Sequence, residues 1–359
     1  MLIMNTIYIN GRFLTQQLTG VQRFAYELVL HLSHLRSDII ILVPNISSIQ
    51  NEYPTKGLNI HELVGGKGHY WEQVTLPLFM MRQKARLLVN LCNTGPAFYK
   101  KQIVSLHDIS YVRYPSSFSK IFCIFYSSLA PFLLRNSKAV VTVSNFSKNE
   151  IIKYYNHRKD NIFVIPNAVS ERFYEGATPT NDNAEYFLTV SSINHHKNIQ
   201  RLIQVILKSN LKIHLKIIGG TTQVFRNVNV NINDPRICFL GHVSDDELAK
   251  LYKGAKAFIF PSLYEGFGIP PLEAQSCFCP VISSDRSAMK EVLHDSVIYF
   301  DPECNYQIIK AISLLNSDKE LRGELIVKGW DNVRRFSWIN SAKKLNFLIE
   351  KLTIEKYVS

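Results

Sequence analysis

The feature that most constrains this chain is an alternation of short Val- and Ile-rich runs with helix-length amphipathic segments, carried through twice. Runs of that length and composition suit strands buried on both faces, as in parallel sheets covered by helices. In the first half they fall near Ile7–Ile9, Ile39–Val43, Leu87–Leu91, Ile103–Leu106, Val140–Val143 and Phe163–Ile165. In the second half they fall near Tyr186–Val190, Leu215–Ile218, Ile237–Leu240, Ala257–Phe260, Val281–Ser283 and Val297–Phe300. The pattern predicts two doubly wound, Rossmann-like α/β domains, and 359 residues at 46% hydrophobic content suffice for two cores.

Between the halves, Ser170 to Asn183 is poor in apolar residues and carries Gly176 and Pro179, the chemistry of a linker. The expected domains are therefore 1–172 and 173–340. The last segment, 341–359, reads as an amphipathic helix with no strand left to feed, expected to pack back on the first domain.

Charge is uneven. Residues 1 to 175 hold 19 Lys and Arg against 10 Asp and Glu, a balance of +9, out of +12 for the whole chain. A basic face attracts nucleic acid, anionic lipid or phosphorylated substrates alike. No recognition-helix, aromatic RNA-binding or zinc-finger pattern is present, so nucleic acid is not an expected partner. The six cysteines form no Cys-x-x-Cys grouping, and Cys277 and Cys279 read as packing residues. The longest apolar tract, Ile121 to Leu134, is too short to span a bilayer. Residues 1 to 10 carry no secretory pattern, and a cytoplasmic location is expected.

The richest stretch is Phe260-Pro-Ser-Leu-Tyr-Glu-Gly-Phe-Gly-Ile-Pro-Pro-Leu-Glu-Ala274. It reads as a strand end, a glycine turn and a helix start, because Pro270 and Pro271 are tolerated where a first helical turn leaves its amides unpaired. The amides of Gly266, Phe267, Gly268 and Ile269 would then converge beyond the carboxyl end of a strand, where doubly wound sheets bind phosphates. Glu265 and Glu273 bracket the turn; beside a bound phosphate, carboxylates are tolerated where they accept hydrogen bonds from hydroxyls of a ribose or sugar. The plainer alternative is that Glu273 complements the helix dipole and Glu265 faces solvent.

This Glu, seven residues, Glu element resembles the hallmark of the GT-B glycosyltransferases of family 4. Phe239-Leu-Gly-His-Val-Ser-Asp-Asp-Glu-Leu248 and Cys279-Pro-Val-Ile-Ser-Ser-Asp-Arg286 resemble the flanking family segments, so the likeness spans most of residues 186 to 303. It implies two Rossmann-like domains facing each other across a cleft, the first binding the acceptor and the second holding a nucleotide diphosphate sugar. Glu273 would then hold the ribose, Glu265 the hydroxyls of the transferred sugar, and backbone near Val243 would frame the base. Val190-Ser-Ser-Ile-Asn-His-His-Lys-Asn198 resembles the segment that offers cations to the diphosphate. Ser192, His196 and Lys197 are its donor-site candidates, with His196 standing where the family usually has Arg.

In the first half the likeness is thinner. Thr19-Gly-Val-Gln-Arg-Phe24 resembles the turn that approaches the diphosphate, and Gly20 fits it. Leu106-His-Asp-Ile109 resembles the family's His-Asp pair, in which His107 reaches the donor sugar; Asp108 and Ser144 are acceptor-side candidates. The resemblance implies His107, Lys197 and Glu265 as catalytic residues of a retaining transfer, and no metal or cofactor, in keeping with the lack of an Asp-x-Asp. The His-Lys-Asn and Glu-Gly-Phe-Gly-Ile-Pro-Pro segments are similar to those of bacterial surface-polysaccharide enzymes that take a hexose from GDP-mannose. A lipid-linked oligosaccharide of O-antigen, capsule or exopolysaccharide is the implied acceptor. The alternatives are a UDP- or dTDP-sugar donor, or a nucleotide-sugar-binding protein without catalysis. An apolar helix over Ser119 to Arg135 with basic flanks either packs against the sheet or rests on an anionic membrane surface, the second reading adding a contact expected at the inner face of the plasma membrane.

Overall fold

The computed structural model describes residues 6–83, 86–174, 185–190, 194–219 and 234–354. The chain divides into two compact units that are not contiguous in sequence. Unit 1 comprises Met1–Val112, Lys120–Asn167 and Ser337–Ser359; unit 2 comprises Arg113–Ser119 and Ala168–Phe336.

Unit 1 is built on seven strands: β1 (Ile7–Asn10), β2 (Ile39–Val43), β3 (Ile60–Glu62), β4 (Leu88–Asn90), β5 (Gln102–Ser105), β6 (Ala139–Thr142) and β7 (Ile162–Val164). They pair in parallel in the order β3-β2-β1-β4-β5-β6-β7. Strands β4, β5 and β6 are buried at every position, which is why each carries consecutive apolar residues. The sequence pattern misses β3: only Ile60 of its residues is apolar, and as an edge strand it pairs with β2 alone.

The helix Gly20–Leu35 buries Phe24, Ala25, Leu28, Val29 and Leu32, an i, i+4 stripe that packs on the sheet and on the C-terminal helix Trp338–Ile354. Each large side chain so buried contributes about 1.5–3 kcal/mol. The C-terminal helix answers with Ala342, Leu345, Leu348 and Ile349, and the Ser341 hydroxyl donates to the Pro166 carbonyl at 2.7 Å.

Unit 2 carries β8 (Tyr186–Val190), β9 (His214–Ile218), β10 (Ile237–Gly241), β11 (Ala257–Phe260), β12 (Val281–Ser284) and β13 (Ile298–Phe300), all parallel, in the order β10-β9-β8-β11-β12-β13. Its core joins Phe187, Leu215, Ile217, Ile259 and Ile282 of the sheet to Leu202, Ile203 and Ile206 of the helix Ile199–Lys208. The helix Asp245–Lys253 opens with a capping box: Ser244 accepts the Glu247 N–H while the Glu247 carboxylate accepts the Ser244 N–H at 2.9 Å.

Both sheets reverse their strand order once, between β1 and β4 and between β8 and β11. The loops beyond the carboxyl ends of those strand pairs are where such sheets bind ligands. Nearly all the strands lie where the apolar runs place them, and the α/β class read from the sequence is the class observed.

Candidate active site

At the switch point of unit 2, the loop after β11 becomes the helix Ile269–Ser276, which has Pro270 and Pro271 in its first turn. Gly268 is its N-cap at φ +85°, a left-handed conformation, and a Cβ there would lie 2.5 Å from the Met289 methyl carbon. A side chain here would be strained by the backbone and would have to displace Met289. Because Pro270 and Pro271 lack N–H groups, the backbone donors of this turn are those of Gly266, Phe267, Gly268 and Ile269.

Across the switch point, residues 194 to 198 follow β8. Asn198 holds φ +60°, and its side-chain amide donates to the carbonyls of Pro261 and Pro302, while Leu263 N–H donates to the His196 carbonyl at 2.7 Å. These ties draw the two loops together. Lys197 Nζ consequently reaches Glu265 Oε1 at 2.7 Å, with the two side chains still 22% and 12% exposed. Two residues 68 apart in sequence thus form a half-open ion pair beside the glycine turn.

Glu273 lies in the first turns of the helix, 9% exposed, and accepts a hydrogen bond from Tyr252 at 3.3 Å. Burial raises the Tyr252 phenol well above its ordinary pKa, so it stays protonated and donates. Val243 is half-buried just after β10, its carbonyl in contact with His242 Nδ1 at 3.2 Å. Ser192 lies outside the described residues.

His196 is held differently from Lys197. It is buried, and Ser117 Oγ accepts its N–H at 3.2 Å and shares a hydrogen bond with its Nδ1 at 2.9 Å. Phe118 stacks on the imidazole at 5.8 Å between centroids, and Tyr114 lies against both His196 and Tyr264. These partners come from residues 113 to 119, a strap between two elements of unit 1 that folds as part of unit 2. No sequence motif marked it.

In unit 1, Gly20 opens the first helix after β1; Thr19 does not cap it through its side chain, and no acidic residue lies in the first turn. His107, just after β5, is buried and packs edge-on against Phe24 of that helix, 4.5 Å between centroids. Its Nε2 lies 3.1 Å from the Leu91 carbonyl, which only accepts, so Nε2 carries the proton and Nδ1 keeps its lone pair. Burial holds the His107 pKa below the usual histidine range, against the Leu91 hydrogen bond and the Asp108 charge, and the ring is neutral near pH 7. Asp108 accepts the Ser110 N–H at 2.8 Å, and Ser144 caps the helix Asn145–Tyr155 by accepting the Ser147 N–H at 3.0 Å.

A second cluster escapes sequence reasoning. Asn10 ends β1, Asn90 ends β4, and with Arg12, Glu72 and Thr94 they are buried together at the unit 1 switch point. Glu72 Oε1 accepts from Asn10 at 2.8 Å, Thr94 at 2.9 Å and Arg12 Nε at 3.3 Å, while Oε2 lies 3.3 Å from His69 Nδ1. Burial by itself would raise the Glu72 pKa; the His69 hydrogen bond, the Arg12 charge and the Asn10 and Thr94 donors outweigh it and hold it below the ordinary value. Polar residues at and just beyond the end of the first strand, Asn10 and Arg12, were the available signal.

Comparison with known proteins accords with this geometry. Residues 18–173 match the model for Glycosyltransferase Family 4, and residues 170–329 that for Glycosyl transferases group 1. The O-antigen chain mannosyltransferase RfbU of Salmonella typhimurium is 31% identical over 268 residues, covering 74% of this chain and 72% of its own. The chain belongs to the family 4 glycosyltransferases.

The O-antigen chain mannosyltransferase B of Escherichia coli is 28% identical to this glycosyltransferase over 268 residues, 68% of this chain and 70% of that one. In three dimensions Anabaena Alr3699/HepE, solved in complex with UDP and glucose, matches with a TM-score of 0.74 at 13% identity, over 96% of this chain and 99% of that one. At that identity the likeness is one of fold, the GT-B fold of two Rossmann-like units.

Proposed function

We propose that this glycosyltransferase moves a mannosyl residue from GDP-mannose to a lipid-linked oligosaccharide in O-antigen synthesis, with retention of configuration and without a metal ion. The observation that carries the reading is the Lys197–Glu265 pair of 2.7 Å beside the Gly266–Ile269 turn, with Glu273 buried behind it. The likeness to two O-antigen mannosyltransferases supports mannose and the pathway.

Departure of a nucleoside diphosphate leaves negative charge on phosphate oxygens, and fixed donors aimed there lower the barrier. In this reading the Lys197 ammonium and the turn amides take that charge, and Glu265, released from part of its bond to Lys197, accepts from hydroxyls of the transferred sugar. Glu273, kept in place by Tyr252, accepts from the ribose. Neutral His107 offers Nδ1 as an acceptor to a sugar hydroxyl. Attack from the same face needs positioning more than a base.

The membrane reading rests on unit 1. The helix Lys120–Asn136 buries Leu129, Ala130, Leu133 and Leu134 and exposes Ile121, Ile124 and Phe132, with Phe98 packed on Phe132 at 5.6 Å. Lys120 and Arg135 are exposed at its ends, an arrangement suited to an anionic leaflet. Among the described residues no helix is long and apolar enough to cross a membrane.

The test uses purified full-length protein with GDP-mannose, UDP-glucose and a dTDP-hexose, each with and without a diphospholipid-linked saccharide and with excess chelator. Chelator-resistant GDP release and an α-linked product by NMR are expected. Turnover of a UDP- or dTDP-sugar alone replaces the donor, binding without turnover of any donor replaces the enzyme, and loss of activity with chelator removes the metal-independent reading.

A further inference from the structure

Residues 113 to 119 connect two parts of unit 1 yet fold with unit 2, and a single tight turn gives them their shape. Pro115 opens that turn, where a missing N–H costs nothing, and the N–H groups of Ser117 and Phe118 donate to the carbonyls of Tyr114 and Pro115 at 2.9 and 3.1 Å. The turn carries Tyr114, Ser117 and Phe118 to common neighbours. Their contacts fall one residue before each partner of the Lys197–Glu265 pair.

His196 precedes Lys197 and Tyr264 precedes Glu265, and each is 5% exposed. Ser117 Oγ accepts the His196 N–H at 3.2 Å and is hydrogen-bonded to its Nδ1 at 2.9 Å, while the Phe118 ring lies nearly parallel to the imidazole, 18° between planes. Tyr114 bridges the two loops, 6.1 Å from the His196 ring and 5.9 Å from that of Tyr264. The loops are also tied directly, Leu263 N–H to the His196 carbonyl at 2.7 Å. An ammonium on a flexible four-carbon stem is placed only as well as the backbone that carries it. The backbone next to Lys197 is held on the strap side by two hydrogen bonds and a stacked ring. The imidazole itself is committed to that anchorage, with Nδ1 taken by Ser117 and one face covered by Phe118.

We propose that Ser117 and Phe118 are positioning residues for Lys197, acting through His196, and that His196 is the anchor of this strap and not a ligand of the donor diphosphate. The inference rests on the role of Lys197 proposed above.

The experiment uses the full chain with GDP-mannose, or the nucleotide sugar of the donor panel that it turns over, and measures kcat, donor KM, the Kd of the released nucleoside diphosphate and the urea midpoint. Ser117→Ala and Phe118→Leu are expected to lower kcat about 10-fold or more, since a misplacement near 1 Å can cost about 10²-fold, while donor KM and Kd stay within about threefold. Ser117→Thr keeps the hydroxyl and should recover most of the loss. Ser116→Ala, at an exposed position of the same turn, should change nothing. The deciding measurement is the double variant: in a Lys197→Ala background, Ser117→Ala should cost less than about twofold more, because residues that act through one group are not additive. His196→Arg should lose kcat as Ser117→Ala does. If Phe118→Leu does not fold, the Ser117 series decides alone. Losses of Ser117→Ala and Lys197→Ala that multiply in full, a Kd that rises with kcat intact, or a His196→Arg variant that binds the nucleotide more tightly each overturns the proposal. A Lys197→Ala enzyme as active as wild type, or a chain that turns over no donor, sinks the reading of Lys197 and the strap with it; a large Lys197→Ala loss beside indifferent strap variants sinks only the strap.

Discussion

At the first switch point Glu72 is 1% exposed and both its oxygens are occupied by neighbouring side chains; at the second, Glu265 keeps 12% of its side-chain surface, and its bond to Lys197 Nζ is 2.7 Å long. Burying an ion pair carries a large desolvation cost, which excellent geometry and further hydrogen bonds offset. Unit 1 meets that requirement in advance, and its charges are built into the fold. In unit 2 the pair keeps part of its surface in water, 22% for Lys197 and 12% for Glu265, and carries fewer supporting hydrogen bonds among the described residues. The same chain therefore holds one carboxylate-cation pair enclosed and another partly open to solvent.

The largest effect should come from cutting the enclosed pair. Glu72→Ala leaves the Arg12 guanidinium buried without its carboxylate and should cost about 3–5 kcal/mol of unfolding free energy in urea titrations. A loss under about 1 kcal/mol would make the two switch points alike. Lys197→Ala should do the reverse: kcat falls by about 10²- to 10³-fold, roughly 3–4 kcal/mol in the barrier, with donor KM changed much less and the urea midpoint barely moved. Equal losses in binding and turnover would argue against charge stabilisation on the leaving diphosphate.

Glu273→Gln weakens a charge-assisted acceptor and should raise donor KM by about 1–3 kcal/mol equivalent, roughly 5- to 150-fold, at little cost in kcat. Unaltered kinetics reject the ribose role. Acidification should sharpen the contrast, because His107 and Glu72, buried groups whose pKa values are lowered, both lie in unit 1. The folded pKa of His107 is below its unfolded value of 6.5, so the unfolded chain takes up the proton first and stability falls as pH drops below that point. Glu72, likewise depressed from 4.5, adds a second decline below its unfolded value. Each proton contributes a slope of up to about 1.4 kcal/mol per pH unit. Urea midpoints from pH 8 to 4 for wild type and His107→Gln test this: a flat profile between pH 7 and 5 removes the histidine term. The smallest effect is expected for Tyr252→Phe, which removes one 3.3 Å hydrogen bond to Glu273 and should shift donor KM or stability by no more than about 1.5 kcal/mol. A loss as large as that of Glu273→Gln would show that Tyr252 contributes far more than orientation.

The glycine turn was readable before any coordinates because its constraints are local. Pro270 and Pro271 fit a first helical turn, and Gly268 takes a positive φ that strains other residues, so a strand, turn and helix succeed one another within fifteen residues. The pairing of Lys197 with Glu265 was not local, although each residue was singled out separately. The anchoring of His196 by Ser117 and Phe118 lay beyond pattern altogether, since it depends on a strap of seven residues leaving the unit on either side of it in sequence.

By itself the sequence determined the two parallel α/β units, because strands buried on both faces carry consecutive apolar residues, and it determined the glycine turn and helix start through Gly and Pro stereochemistry. Edge strand β3 lay outside that reach, being half-solvated and carrying one apolar residue. Tertiary structure alone decided that Arg12, Glu72 and Thr94, spread over 82 positions, share one buried network. Periodicity reports which residues leave water, but which buried charge meets which is set by strand order, and strand order places β4 against β1.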